Sequence, residues 1–143
     1  MAAQTLIVGL GGSGSDIVKG VYDQIKETNG RSKGKEGRIT GDNISFVVFD
    51  TDVNELEKIT KDYPEIRTIQ ISTRLTVGEY LNVDEFAKNT WFPVNKILNN
   101  KGLTEGAGQI RSISRLALDT AITQGKMKTL DNAIENLYKL NGN

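Results

Sequence analysis

Nine residues near the start, LIVGLGGSG from Leu6 to Gly14, constrain this chain more than any other stretch. An apolar run ends at Gly9, and Gly11, Gly12 and Gly14 follow at once. From Ser15 to about Thr28 the apolar residues Ile17, Val18, Val21, Tyr22 and Ile25 recur at helical spacing. The pattern predicts a buried strand over residues 5–9, a tight turn, and a helix whose N-cap is Ser15 or Asp16. Glycine carries no Cβ, so its backbone N–H groups approach an anion closely. The free amides and the positive dipole end of the helix favour phosphate there. A carboxylate aimed at phosphate would repel it, so Asp16 is expected to face a sugar or base instead. The expectation is a phosphate-binding loop opening an α/β domain.

The next strong signal is Ile44 to Phe49, ISFVVF, apolar on both faces as a central parallel strand must be. It runs into Asp50-Thr51-Asp52 and a short helical segment from about Val53 to Lys61. Ile66 to Ile71 alternates and reads as a third strand nearer an edge. Strand, helix, strand, helix, strand is the rhythm of a Rossmann-like, doubly wound parallel sheet with right-handed crossovers. Between the first two strands, Asn29 to Asn43 carries Arg31, Lys33, Lys35 and Arg38 among glycines, with almost nothing to bury, and reads as a mobile surface loop.

Further along, Val83 to Phe92 is expected as a helix stopped by Pro93, with Val94 to Leu98 another. Trp91 and Phe92 read as core anchors. Lys101 to Gln109, KGLTEGAGQ, is a second glycine-bearing loop. It leads into a helix from Ile110 to about Ile122, with Ile110, Ile113, Leu116, Ala117 and Ala121 on one face. After Gly125, Met127 to Leu140 is expected as a helix with Leu130, Ala133, Ile134, Leu137 and Tyr138 inward.

Composition narrows the chemistry. The 143 residues contain no His and no Cys. That removes Ser-His-Asp and Cys-His catalysis, disulfides, and Cys/His zinc sites. Any metal must be a hard cation on oxygen ligands, with Mg²⁺ the natural candidate. Lys+Arg and Asp+Glu are both 18, so no charge excess points to nucleic acid. No apolar run approaches the ~20 residues that span a bilayer. The N-terminus carries no basic leader, so no signal peptide is expected and the compartment is read as cytoplasmic.

Ligands of doubly wound sheets sit outside the carboxyl ends of the strands. That rim is where GLGGSG and Asp50-Thr51-Asp52 must emerge, and the three turns together point to a nucleotide. A dinucleotide is disfavoured by spacing. Its ribose-binding acid usually follows the glycines by about 20 residues, whereas Asp50 lies 36 positions beyond Gly14. The G-x-x-x-x-G-K-[ST] loop of Walker-type NTPases is absent.

These residues carry a resemblance. IVGLGGSGSDIVKGV resembles the first nucleotide loop of tubulin-like GTPases, the superfamily of tubulin and bacterial FtsZ. FVVFDTDVNEL is similar to the FtsZ segment ending in Asn-Thr-Asp. GLTEGAGQIRSISRLALDTA resembles the γ-phosphate loop and its helix, with Gly106-Ala107-Gly108 leading to Arg115-Leu116-Ala117. All three follow the family's order over about residues 5–122, and the wording is nearest to divergent bacterial tubulin-like proteins. The resemblance implies GTP/GDP and Mg²⁺ as ligands. It implies that Gly11, Gly12, Ser13, Gly14 and Ser15 wrap the α- and β-phosphates. Gly106, Ala107, Gly108 and Gln109 would face the γ-phosphate, and Asp52 would serve Mg²⁺ through water. Asp16 and Asp50 stand where FtsZ has Asn, so together with Thr51 they fall at the sugar and base, with base specificity open.

The superfamily's Gly-Gly-Gly-Thr-Gly loop and its second domain are not found in these residues. The chain is therefore expected to be the N-terminal part of a nucleotide-binding domain. The complete protein would assemble head-to-tail into a homopolymer, with water-activating acids supplied by the neighbouring subunit. Two other classes remain open. One is a Rossmann-like NAD(P)-binding oxidoreductase domain, or the ATP-binding domain of a ubiquitin-activating-type adenylating enzyme. The other is a scaffold that keeps the fold without the nucleotide.

Overall fold

A computed structural model describes residues 4–30, 43–72, 74–93, 95–104, 107–108 and 110–139. The expected loop between the first two strands falls mostly outside these residues, as do Val94, Gly106, Gln109 and Leu140. Three parallel strands, β1 (Thr5–Leu10), β2 (Ile44–Asp50) and β3 (Ile66–Gln70), lie in the order β1-β2-β3. The crossovers are α1 (Gly11–Gly30) and α2 (Val53–Asp62). Four helices follow: α3 (Val77–Val83), α4 (Glu85–Thr90), α5 (Arg111–Thr123) and α6 (Lys128–Lys139).

The doubly wound character follows from which strand faces are apolar. On one face Phe46, Val48 and Ile66 pack with Val18 and Tyr22 of α1 and with Leu56 and Ile59 of α2. On the other, Val47, Phe49 and Ile69 pack with Ala133 of α6. Val47 and Val48 are both 0% exposed, so adjacent β2 residues bury opposite faces at about 1.5–3 kcal/mol each. A third cluster lies in a helical lobe, where Val77, Tyr80 and Leu81 of α3 meet Ala87, Phe92, Leu103, Ile113 and Leu116. An antiparallel bridge from Thr76 to Gly102 closes the base of this lobe.

Several element ends differ from the sequence expectation. The first strand runs to Leu10, and α1 begins at Gly11, four residues before the expected start. Neither Ser15 nor Asp16 is its N-cap; Ser15 lies inside the first turns, its Oγ donating to the Gly11 carbonyl at 2.9 Å. The turn is tighter than expected because Gly11, with φ 69°, reverses the chain alone. The single helix expected over Val83 to Phe92 is two. Asp84 both ends α3 and starts α4, its carboxylate accepting from the Ala87 N–H at 2.9 Å. Residues 96–100 form turns, not the expected helix.

Three side chains assigned to apolar faces are exposed: Ile17 (66%), Ile134 (36%) and Tyr138 (69%). Periodicity marks a stripe wider than the one that finds a partner among the described residues.

Strand register sets up the site. Leu10 sits opposite Phe49, and Asp50 opposite Gln70. The chain therefore leaves all three strands at one rim: Gly11 after β1, Thr51 after β2 and Ile71 after β3.

Candidate functional site

At that rim lies a cavity of about 610 Å³, within the 300–1,000 Å³ typical of small-molecule sites. Gly11 and Gly12 wall one side and Asp50, Thr51 and Asp52 the floor, while Ala107 and Gly108 approach from the loop before α5. Leu10, Phe49, Ile71 and Leu118 add apolar wall, and Ser114 and Arg115 come from α5.

Each glycine of the first loop has its own task. A Cβ on Gly9 would stand 2.6 Å from the Gly14 carbonyl oxygen and 2.8 Å from Val18 Cγ2. Gly9 and Gly14 are thus the contact through which β1 and α1 pack backbone to backbone. Gly12 is different: a Cβ there meets nothing within 4 Å. Its openness faces the cavity. The first four N–H groups of a helix have no partner within it, so α1 presents amides at this wall. No acidic residue occupies its first turn.

The two carboxylates on the floor have local partners. Asp50 is 8% exposed and its Oδ1 accepts from the Asp52 N–H at 3.0 Å. Asp52 Oδ1 accepts from the N–H groups of Asn54 (2.9 Å) and Glu55 (3.4 Å), capping α2. Ser72 Oγ donates to the Thr51 carbonyl at 3.0 Å, tying the end of β3 to this turn. Among the described residues no group of three or more carboxylates is gathered as a metal cage. Asp50, Thr51, Asp52 and Ser114 border the cavity with hard oxygen donors, the kind that Mg²⁺ would take.

Gly11, Gly12, Asp50, Thr51, Asp52, Ala107 and Gly108 are brought together around this cavity. Ser13 is exposed, and Gly14 and Ser15 are taken up in packing and in the Gly11 bond; none of the three is on the cavity wall. Nor is Asp16, whose carboxylate pairs with Lys19 Nζ at 2.7 Å on the outside of α1. That hydrogen bond, aided by the charge of Asp16, raises the Lys19 pKa against the opposing effect of desolvation. Gly106 and Gln109 lie outside the described residues.

Arg115 was not among the expected site residues, although the family-like register ran through it. Its signal lies in the periodicity of α5. Ile113 and Leu116 turn into the lobe and Ala117 is buried, so Ser114, Arg115 and Leu118 fall on the adjoining stripe that borders the cavity.

Fold and site together define a parallel α/β domain with a ligand-sized cavity at the carboxyl rim of its sheet. A family model described as "Tubulin like" matches residues 6–142, and the chain belongs to this tubulin-like family. No curated protein and no solved structure matches it. No helix among the described residues is long and apolar enough to cross a membrane.

Proposed function

We propose that this chain is the nucleotide-binding portion of a tubulin-like GTPase, taking GTP or GDP with Mg²⁺ in the rim cavity. One observation carries the reading: three turns far apart in sequence border one cavity of about 610 Å³, with the amide end of α1 on its wall. In this reading the backbone N–H groups of Gly11 and Gly12 hold the α- and β-phosphates, and Ser13, Gly14 and Ser15 support the turn from behind the cavity wall. Asp50 and Thr51 receive the ribose or base. Asp16 joins them only by leaving Lys19. The loop of Gly106, Ala107, Gly108 and Gln109 meets the γ-phosphate. Asp52 keeps its capping role through Oδ1 and would help to hold Mg²⁺ through water. The bound metal supplies charge neutralisation for phosphoryl transfer.

The complete protein would act in the cytoplasm as a head-to-tail polymer, each subunit completing its neighbour's catalytic site. Isothermal titration of the chain with GTP, GDP, ATP and NAD, each with Mg²⁺, tests the reading. GTP and GDP binding above ATP and NAD supports it. Preference for NAD or ATP selects the Rossmann-like alternative, and no heat with any nucleotide selects a scaffold.

A further inference from the structure

The cavity wall carries one cationic side chain among the described residues, Arg115 of α5. Its guanidinium carbon sits 4.1 Å from the ring centroid of Trp91, over the indole. Trp91 is the C-cap of α4, packed against the helical-lobe cluster and edge-on to Phe92 at 5.8 Å. Arg115 makes no ion pair with a described carboxylate, although Asp50 and Asp52 border the same cavity. The guanidinium is thus held by an aromatic face and pairs with no acid among the described residues.

That difference has a chemical consequence. A guanidinium that stacks on a ring uses its π-face, and its five N–H donors, which lie in its plane, then stay available to oxygen acceptors. A planar fork is also the geometry that binds phosphate in bidentate fashion. The loop carrying Gly108 turns directly into α5, with the Ile110 N–H donating to the Ala107 carbonyl at 3.1 Å, so Arg115 stands one helical turn beyond that loop.

We infer that Arg115 is a phosphate-contacting residue of this cavity, and that Trp91 is the positioning residue that presents its N–H edge to the ligand. The inference rests on the nucleotide reading above and extends it. It has a built-in reporter: Trp91 is the only tryptophan of the chain, so its emission reads Arg115 directly.

The test titrates Mg²⁺-GTP into wild type, Arg115→Ala, Arg115→Lys, Trp91→Leu and the Arg115→Ala/Trp91→Leu pair. Calorimetry gives affinity, indole fluorescence is followed in the variants that keep Trp91, and circular dichroism melts establish that each variant folds. Arg115→Ala weakens binding about tenfold or more, as loss of a charge-assisted bond does. Arg115→Lys restores part of it, because charge without the planar fork is a poorer phosphate ligand. Trp91→Leu weakens binding about threefold, on the scale of an exposed cation–π contact. It has no further effect once Arg115 is Ala. Saturation shifts the wild-type emission and leaves that of Arg115→Ala unmoved. Wild-type binding with undiminished affinity in folded Arg115→Ala, or additive losses in the pair, overturns the inference while the nucleotide reading stands. A wild type that binds no nucleotide removes both.

Discussion

Gly9 and Gly12 stand three residues apart, at the end of β1 and the start of α1, yet their substitution by alanine should have opposite consequences. At Gly12 a methyl group meets no protein atom within 4 Å, and the residue lies in the first turn of α1. Alanine is the better helix former by up to about 1 kcal/mol, so Gly12→Ala is expected to melt at or slightly above the wild-type temperature. Gly12 also lines the cavity, so in the nucleotide reading the same methyl crowds the amides that an anion would approach. Losing one charge-assisted hydrogen bond costs about 1.5–3 kcal/mol, or roughly ten- to hundredfold in Kd for Mg²⁺-GTP.

At Gly9 the methyl has nowhere to go: one side is the Gly14 carbonyl at 2.6 Å and another is Val18 Cγ2 at 2.8 Å. Backbone cannot rotate aside as a side chain does, so the top of the 1–3 kcal/mol overpacking range, about 3 kcal/mol, is expected. At about 3–4 °C per kcal/mol for a chain of this size, Gly9→Ala should lower Tm by roughly 10 °C. Paired thermal melts and calorimetric titrations of the two variants read both quantities. A Gly12→Ala protein that binds GTP as wild type does, or a Gly9→Ala protein as stable as wild type, refutes the division of labour within the loop.

Asp52 separates capping from metal work: Asp52→Ala should lose about 1 kcal/mol of stability, seen in denaturant midpoints. Asp52→Asn keeps a good cap and the stability, but the Mg²⁺ dependence of GTP binding should weaken. At the capping box of α3, the Thr76 N–H and then its hydroxyl donate to Glu79 Oε2, at 2.8 and 2.9 Å, and hold the Glu79 pKa below its ordinary value. A depressed carboxylate pKa stabilises the fold above the unfolded-state value and loses that contribution as pH falls through the folded one. The Tm gap between wild type and Glu79→Ala should therefore narrow from about pH 7 to about pH 3. The chain alone should show negligible GTP hydrolysis by phosphate release and no polymer by light scattering. Sustained turnover would contradict the assignment of the water-activating acids to a neighbouring subunit.

How much of this could be read from the residues divides along physical lines. The three strands were legible because an apolar run such as ISFVVF has few places to go except between two helical layers, and β2 buries Phe46 through Asp50. Their parallel direction, and hence the common rim, followed from the βαβ rhythm, whereas the order β1-β2-β3 came from the structure. The exits of Gly11 and Asp50 belong to this class of statement. Helix ends were less legible. Asp84 caps α4 through one side-chain bond to the Ala87 N–H and Gly11 turns the chain through a positive φ, and composition records neither.

By itself the sequence determined the α/β class, the parallel strands and the family motifs, because these rest on local periodicity and short-range spacing. Only the tertiary structure decided which members of each motif face the cavity. Gly9 and Gly14 turn to each other and Asp16 turns to Lys19, while Gly12 is left open. It alone brought Arg115 over Trp91, 24 positions away in the chain. Contacts between residues so separated depend on how α4 and α5 pack, and no window of local sequence encodes that angle.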